Sequence, residues 1–163
     1  MFTGPKHSGK TESVQRIAEK LKKENFKIAG FTAPSVYEGA FLLGFDLVDI
    51  NSGKRVKFAR RKPAAERFQF SEKGFEFGRK ILRNPDVENA DLIIIDEFGP
   101  MELHGGGWRD DVDRLLEKNL CLLMVVREDL IEDVKILYAD LPCRLFSAEQ
   151  QSFEKIKHVL NKR

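Results

Sequence analysis

Cysteine is scarce in this chain, with two in 163 residues, and histidine is hardly commoner, with three. So few thiols exclude a disulfide-stapled scaffold. Cys121 and Cys143 each stand in or beside an apolar strand-like run and read as buried reduced thiols. His7, His104 and His158 are scattered, so nothing resembles a metal-ligand cluster. Long hydrophobic runs are missing too: no stretch approaches the ~20 apolar residues of a membrane span. The N-terminus lacks the charged and apolar regions of a signal peptide. Neither sign of charge is in excess, since 28 Lys and Arg against 26 Asp and Glu leave a formal +2. That balance argues against a dedicated nucleic-acid binder. Repeats, low-complexity linkers and a second domain are also absent. What remains is a soluble, cytoplasmic globular protein with no membrane partner, a monomer being compatible with all of this. Residues 1–163 are expected to form a single domain large enough to bury a real core.

What is present begins at Gly4-Pro5-Lys6-His7-Ser8-Gly9-Lys10-Thr11, which fits G-x-x-x-x-G-K-[ST], the phosphate-binding loop. Two glycines let the backbone curl so that successive N–H groups point at an anion, and the following helix adds its positive end. Lys10 is expected to reach the terminal phosphates and Thr11 to hold a magnesium ion. Gly4 to Thr11, with Glu12 beyond, form the expected nucleotide-binding stretch. A chance match in a glycine-containing turn is the bland alternative. Against it, Val14, Ile17, Ala18 and Leu21 recur at i, i+3, i+4, i+7, an amphipathic helix in the required place. Only Met1, Phe2 and Thr3 precede the loop, a short strand for the centre of a nucleotide-binding sheet.

Further along, Lys27 to Phe31 reads as a strand ended by Pro34. Phe41 to Ile50 and Arg55 to Ala59, joined by Asn51-Ser52-Gly53-Lys54, read as an antiparallel hairpin inserted at about 41–59. The segment from Arg60 to Gln69 is basic and irregular. Ser71 is placed to cap a helix carrying Phe75, Phe77, Ile81 and Leu82. Strand and helix then alternate. Leu92–Ile95 and Leu120–Val126 are buried strands, Arg144–Phe146 a short one. Helices carry Trp108, Val112, Leu115 and Leu116, then Leu130, Val134 and Leu137, then Phe153, Ile156 and Leu160. This alternation predicts an α/β fold, a three-layer sandwich on a mostly parallel sheet.

The apolar run Leu92–Ile95 ends in Asp96-Glu97. A carboxylate ending such a strand holds magnesium in nucleotide-hydrolysing sheets, and a neighbour can polarise the attacking water. Asp96 suits the first role and Glu97 the second. An acidic pair after an apolar strand is by itself more often a solvated strand end. With the Gly4–Thr11 loop the balance reverses, because ligands of open parallel sheets bind at the strands' carboxyl ends.

Residues Asp96 to Leu103 read D-E-F-G-P-M-E-L, and Gly30-Phe31 opens a looser match to G-F-x-x-x-E. With these motifs the chain resembles the small P-loop nucleoside-triphosphatases of thermophile and cancer-related type, over nearly its whole length. Lys6, His7 and Glu12 depart from that family's usual loop. The resemblance implies magnesium-dependent hydrolysis of ATP, GTP and other nucleoside triphosphates to diphosphate and phosphate. It implies Lys10 as phosphate-binding, Glu97 as base, and Thr11 and Asp96 on the metal side. It also singles out Arg60, just after the hairpin, as the arginine that stabilises transition-state charge. Arg61, Arg67 and Arg109 are further candidates, although a solvated surface arginine is the plainer reading of any one.

Other residues have plainer readings. The basic cluster Lys54, Arg55, Lys57, Arg60, Arg61 and Lys62 lacks interleaved stacking aromatics beyond Phe58 and Phe68, so a solvated hairpin face outweighs a nucleic-acid contact. Trp108, spaced with Val112 and Leu115, belongs to the core rather than to base stacking. Glu102 is either a partner of cations in the site or a helix-start carboxylate. Two other functions use the same loop: a kinase passing the γ-phosphate to a small molecule or nucleic-acid end, and a nucleotide-binding switch or assembly factor.

Overall fold

The computed structural model describes residues 1–5, 8–61, 68–148 and 152–162. Its strands are β1 Phe2–Thr3, β2 Ile28–Thr32, β3 Ser35–Glu38, β4 Phe41–Asp49, β5 Arg55–Arg61, β6 Phe68–Phe70, β7 Leu92–Asp96, β8 Leu122–Val125 and β9 Phe146–Ser147. The helices are α1 Lys10–Lys23, α2 Glu72–Leu82, α3 Pro100–Leu103, α4 Arg109–Glu117, α5 Ile131–Leu137 and α6 Ser152–Leu160.

The strands form one sheet in the order β6-β5-β4-β2-β7-β8-β1-β9, with β3 paired to β4. From β2 to β9 the neighbours run parallel, and from β2 through β4 and β5 to β6 they run antiparallel. Alternation along the central strands explains the layers. Leu92 and Ile94 of β7 face α1 and α6, packing with Val14, Ile17, Leu21, Ile156 and Leu160. Ile93 and Ile95 face the opposite way, onto Phe75, Leu82, Val112, Leu115 and Val134 of α2, α4 and α5. A strand covered on both faces must be apolar throughout, and all five residues of β7 are buried. The α/β three-layer expectation holds.

The antiparallel part is larger than the expected hairpin. Ser35–Glu38 adds a strand beyond Pro34, and Phe68–Phe70 adds another on the far edge. Both follow from pairing with β4 and β5 rather than from local pattern. The segment read as irregular thus begins and ends in strand, while 62–67 lie outside the described residues. Ser71 does stand at the start of α2, but its carbonyl, not its hydroxyl, takes the helix bonds, from Gly74 and Phe75 N–H.

Trp108 is buried, with ring centroids 4.6 Å from Phe31, 5.1 Å from Phe58 and 5.3 Å from Phe75. Its Nε1–H donates to the Phe75 carbonyl at 3.3 Å. It is a core residue, clamping the segment after α3 onto α2 and the antiparallel wing. Among the described residues no helix is long and apolar enough to cross a membrane. The cysteines correct their expectation: neither forms a disulfide, but Cys143 is exposed and Cys121 only half-buried. Each lies just outside the strand that its apolar neighbours build, Cys121 before β8 and Cys143 in the loop before β9.

Candidate active site

Between β1 and α1 the described residues of the loop are Gly4, Pro5, Ser8 and Gly9. Gly9 caps α1 with φ of +72°, a left-handed conformation that favours glycine. Gly4 is pressed against the loop's own far side: a methyl group there would lie 2.7 Å from Ser8 Oγ and 3.3 Å from Ala148 Cβ. Lys10 folds back over the loop, its Nζ donating to the carbonyls of Gly4 at 3.1 Å and Pro5 at 2.9 Å. Ser8, at the loop's crest, is exposed, as is Glu12 in the first turn of α1. Lys6 and His7 lie outside the described residues.

Asp96 closes β7 beside α1. Its carboxylate accepts the Ala33 N–H at 3.0 Å, and the Thr11 hydroxyl of α1 favours its charged form. Thr32, one residue before Ala33, is tied to α1 by the Gln15 amide at 3.0 Å, so the end of β2 and the first turns of α1 are held together. Burial pushes the Asp96 carboxyl up, against the Ala33 and Thr11 hydrogen bonds and the Lys10 charge. Burial, then the Asp96 charge, push Glu97 up to about 7, against the charges of Arg127 and Lys10. Both adjacent carboxyls are thus penalised by burial, and the Asp96 charge further disfavours ionisation of Glu97. Thr11 and Asp96 supply oxygen donors of the kind a hard divalent cation takes. Among the described residues there is no cluster of three His, Cys, Asp or Glu. An ion here would take its remaining ligands from phosphate and water.

The segment after Glu97 is anchored by Glu102, a buried carboxylate at the start of α3. It accepts the Gly99 N–H at 2.9 Å and the Trp108 N–H at 3.3 Å. Burial pushes its carboxyl up, against those backbone bonds. The position leaves no spare room, since a methyl on Gly107 would lie 1.9 Å from the Glu102 carboxylate. Of its two readings from sequence, the structure gives the helix-start one, with the backbone rather than cations as partners. Glutamine there must turn its amide nitrogen toward one of the two N–H donors. Glu102→Gln is therefore expected to lose about 1–3 kcal/mol of stability, the usual consequence of an unsatisfied buried donor. Because Gly99 stands two residues beyond Glu97, the candidate base, turnover is expected to fall roughly tenfold as the segment shifts. Thermal melting and kcat on one preparation check both.

The structure brings Lys10, Thr11, Asp96 and Glu97 together and does not bring Arg60 to them. Arg60 donates to the Phe45 carbonyl at 2.6 Å and the Ala59 carbonyl at 2.8 Å, and pairs with Asp46. Its strand lies three places from β7 and five from β1 in the sheet. Arg61 rests over the Phe68 ring at 5.5 Å on the same wing. Arg109 grips Asp113 with its Nε at 2.8 and 2.9 Å, and lies over the Tyr138 ring at 5.5 Å. Arg67 and Lys62 lie outside the described residues. One arginine that sequence reasoning passed over does act on Glu97: Arg127, just past β8. Its signal was position alone, a cation at the carboxyl end of an apolar strand.

A family model described as NTPase matches residues 1–156. The nucleoside-triphosphatase THEP1 of Ignicoccus hospitalis is 31% identical over 163 residues, covering 98% of this chain and 92% of that protein. Its counterpart from Methanothermobacter thermautotrophicus is 33% identical over 140 residues, covering 83% of this chain and 79% of that one. The solution structure of a human cancer-related nucleoside triphosphatase shares the fold, with a TM-score of 0.73 at 24% identity, covering 99% of this chain and 97% of the other. The match along nearly the whole chain, with relatives of this identity and coverage, means that the protein belongs to the NTPase family of nucleoside-triphosphatases.

Proposed function

We propose that the protein hydrolyses nucleoside triphosphates, ATP and GTP among them, to diphosphate and phosphate with magnesium, through Lys10, Thr11, Asp96 and Glu97. The observation that carries this reading is Lys10 held on the Gly4 and Pro5 carbonyls of the loop, with the buried Asp96 carboxylate fixed by the Ala33 N–H at the end of β7 and Glu97 next to it. The loop backbone and the α1 N-terminus receive the β- and γ-phosphates. Lys10 exchanges its bonds to the Gly4 and Pro5 carbonyls for phosphate oxygens. Thr11 and Asp96 would hold the magnesium ion, which when bound neutralises charge on the β- and γ-phosphates. Glu97, ionised, accepts a proton from the attacking water as the bond from the γ-phosphorus to the bridging oxygen breaks.

Phosphate release from ATP, GTP, CTP and UTP, with magnesium and with excess chelator, tests it. Release is expected with magnesium and should fall to background without it. In the Lys10→Ala protein nucleotide affinity should weaken at least about tenfold, as loss of a charge-assisted phosphate contact predicts. Silence with every triphosphate, or equal release in chelator, would overturn the proposal.

A further inference from the structure

Transfer of a γ-phosphoryl group spreads negative charge over its oxygens, and a site with a loop, a lysine and one cation gains much from an arginine. The described candidates named from sequence are committed elsewhere, whereas Arg127 stands at the carboxyl edge of the sheet between the two halves of the site. In the β7–β8 register Asp96 lies opposite Val125, and in the β1–β8 register Phe2 lies opposite Val125. Phe98 N–H donates to the Val125 carbonyl at 2.9 Å, and Val126 N–H donates to the Phe2 carbonyl at 2.9 Å. Two residues beyond Val125, the chain at Arg127 is therefore on the row of Gly4, where the phosphate loop begins, and on its other side on the row of Phe98, the residue after Glu97.

Its direction follows from the pleat. Leu123 and Val125 face the α1 side of the sheet, Met124 and Val126 the other. Arg127 is still extended, with φ of −67° and ψ of 147°, so the alternation carries it to the α1 side, the side on which Asp96 meets Thr11. Its charge is also the foremost cation acting on Glu97, ahead of Lys10.

We propose that Arg127 is the charge-stabilising arginine of this site, leaving Asp129 to contact the γ-phosphate in the transition state. The pair with Asp129 is a local surface one, at 2.8 Å with side chains 37% and 66% exposed. Such a pair is worth at most about 1 kcal/mol, so a triphosphate arriving in the loop displaces it readily. Arg109, by contrast, has its side chain only 20% exposed against Asp113.

This inference rests on the hydrolytic reading above, and the experiment separates the two. Wild type is compared with Arg127→Ala, Arg127→Lys and Asp129→Asn, measuring kcat, affinity for magnesium diphosphate and trapping of diphosphate by aluminium fluoride, which mimics the transferring phosphoryl group. Arg127→Ala is expected to lose kcat on the order of 10²–10³-fold, as removal of one transition-state contact does elsewhere. It should lose fluoride trapping while diphosphate affinity moves by less than about threefold, since the contact is absent from the ground state. Arg127→Lys should recover part of the loss, and Asp129→Asn should turn over at or above the wild-type rate. Were Asp129→Asn to fall with Arg127→Ala, the pair would be a structural clasp and the proposal wrong. Equal turnover of Arg127→Ala and wild type would overturn it too. A wild type that releases no phosphate would instead sink the hydrolytic reading itself.

Discussion

Replacing Glu97 with glutamine is expected to lower kcat by about three orders of magnitude while leaving nucleotide affinity within a few-fold of wild type. The amide keeps the size and one acceptor of the carboxylate but cannot take a proton from water. Among the described residues Lys10 and Asp96 are held without it: Lys10 bonds to Gly4 and Pro5, and Asp96 to Ala33. A fluorescent nucleotide titration beside a phosphate-release assay reads both quantities. Binding that collapses together with turnover would remove Glu97 from the role of base.

The same substitution is expected to stabilise the nucleotide-free fold, and the sign follows from the titration. Burial and the neighbouring Asp96 charge raise Glu97 from an ordinary 4.5 to about 7. The folded protein therefore holds this proton more tightly than the unfolded chain does. Wild type loses stability as pH climbs through the window from 4.5 to 7, and the full loss persists above it. Glutamine carries no such charge, so the two proteins should melt alike near pH 4 and diverge as pH rises, with the variant higher. A difference of this size corresponds to about 3 kcal/mol at most above pH 7. The site thus stores an unfavourable charge where the reaction needs a base.

How much of this could be read beforehand depended on whether the information was local. The Gly4–Thr11 loop was legible because phosphate geometry demands its residues consecutively. Leu92–Ile95 was legible because burial on both faces forbids polar interruption. Strands β3 and β6 were not, since Ser35–Glu38 and Phe68–Phe70 carry no strong pattern and exist through their partners on β4 and β5. Arginines were the hardest, because each guanidinium's role depends on which acceptors the fold brings near. Arg60 meets Asp46 only through the β4–β5 pairing. Arg127 comes beside Gly4 and the Glu97-Phe98 segment only through two parallel registers, which leave no trace in spacing along the chain.

Gly30→Ala is the substitution expected to damage the fold most, with a loss of about 2–5 kcal/mol. Gly30 sits in the middle of β2 at φ of +101°, and a methyl group there would lie 1.9 Å from the Ile94 carbonyl oxygen and 2.8 Å from the Ile94 nitrogen. These are backbone atoms of the neighbouring strand, in register with Gly30, so no side-chain rotation relieves the overlap. Overpacking alone takes about 1–3 kcal/mol, and the left-handed conformation adds about 1–2 for a residue with a β-carbon. On a domain of this size the sum lowers the melting temperature by roughly 4–20 °C. Gly53→Ala makes the matched control. Gly53 has φ of +69° in the β4–β5 turn, but nothing lies within 4 Å of the position a methyl would take. It should lose only the conformational part, a few degrees. If the two variants melted within about 2 °C of each other, close approach of β2 to β7 would not be what requires glycine at position 30. Their activities should diverge as well. Ile94 stands two residues before Asp96, so any outward shift of β7 at Gly30 carries Asp96 away from Thr11 and Ala33. The surviving folded Gly30→Ala protein should therefore bind magnesium nucleotide more weakly, whereas Gly53→Ala, far along the wing, should bind it as wild type does.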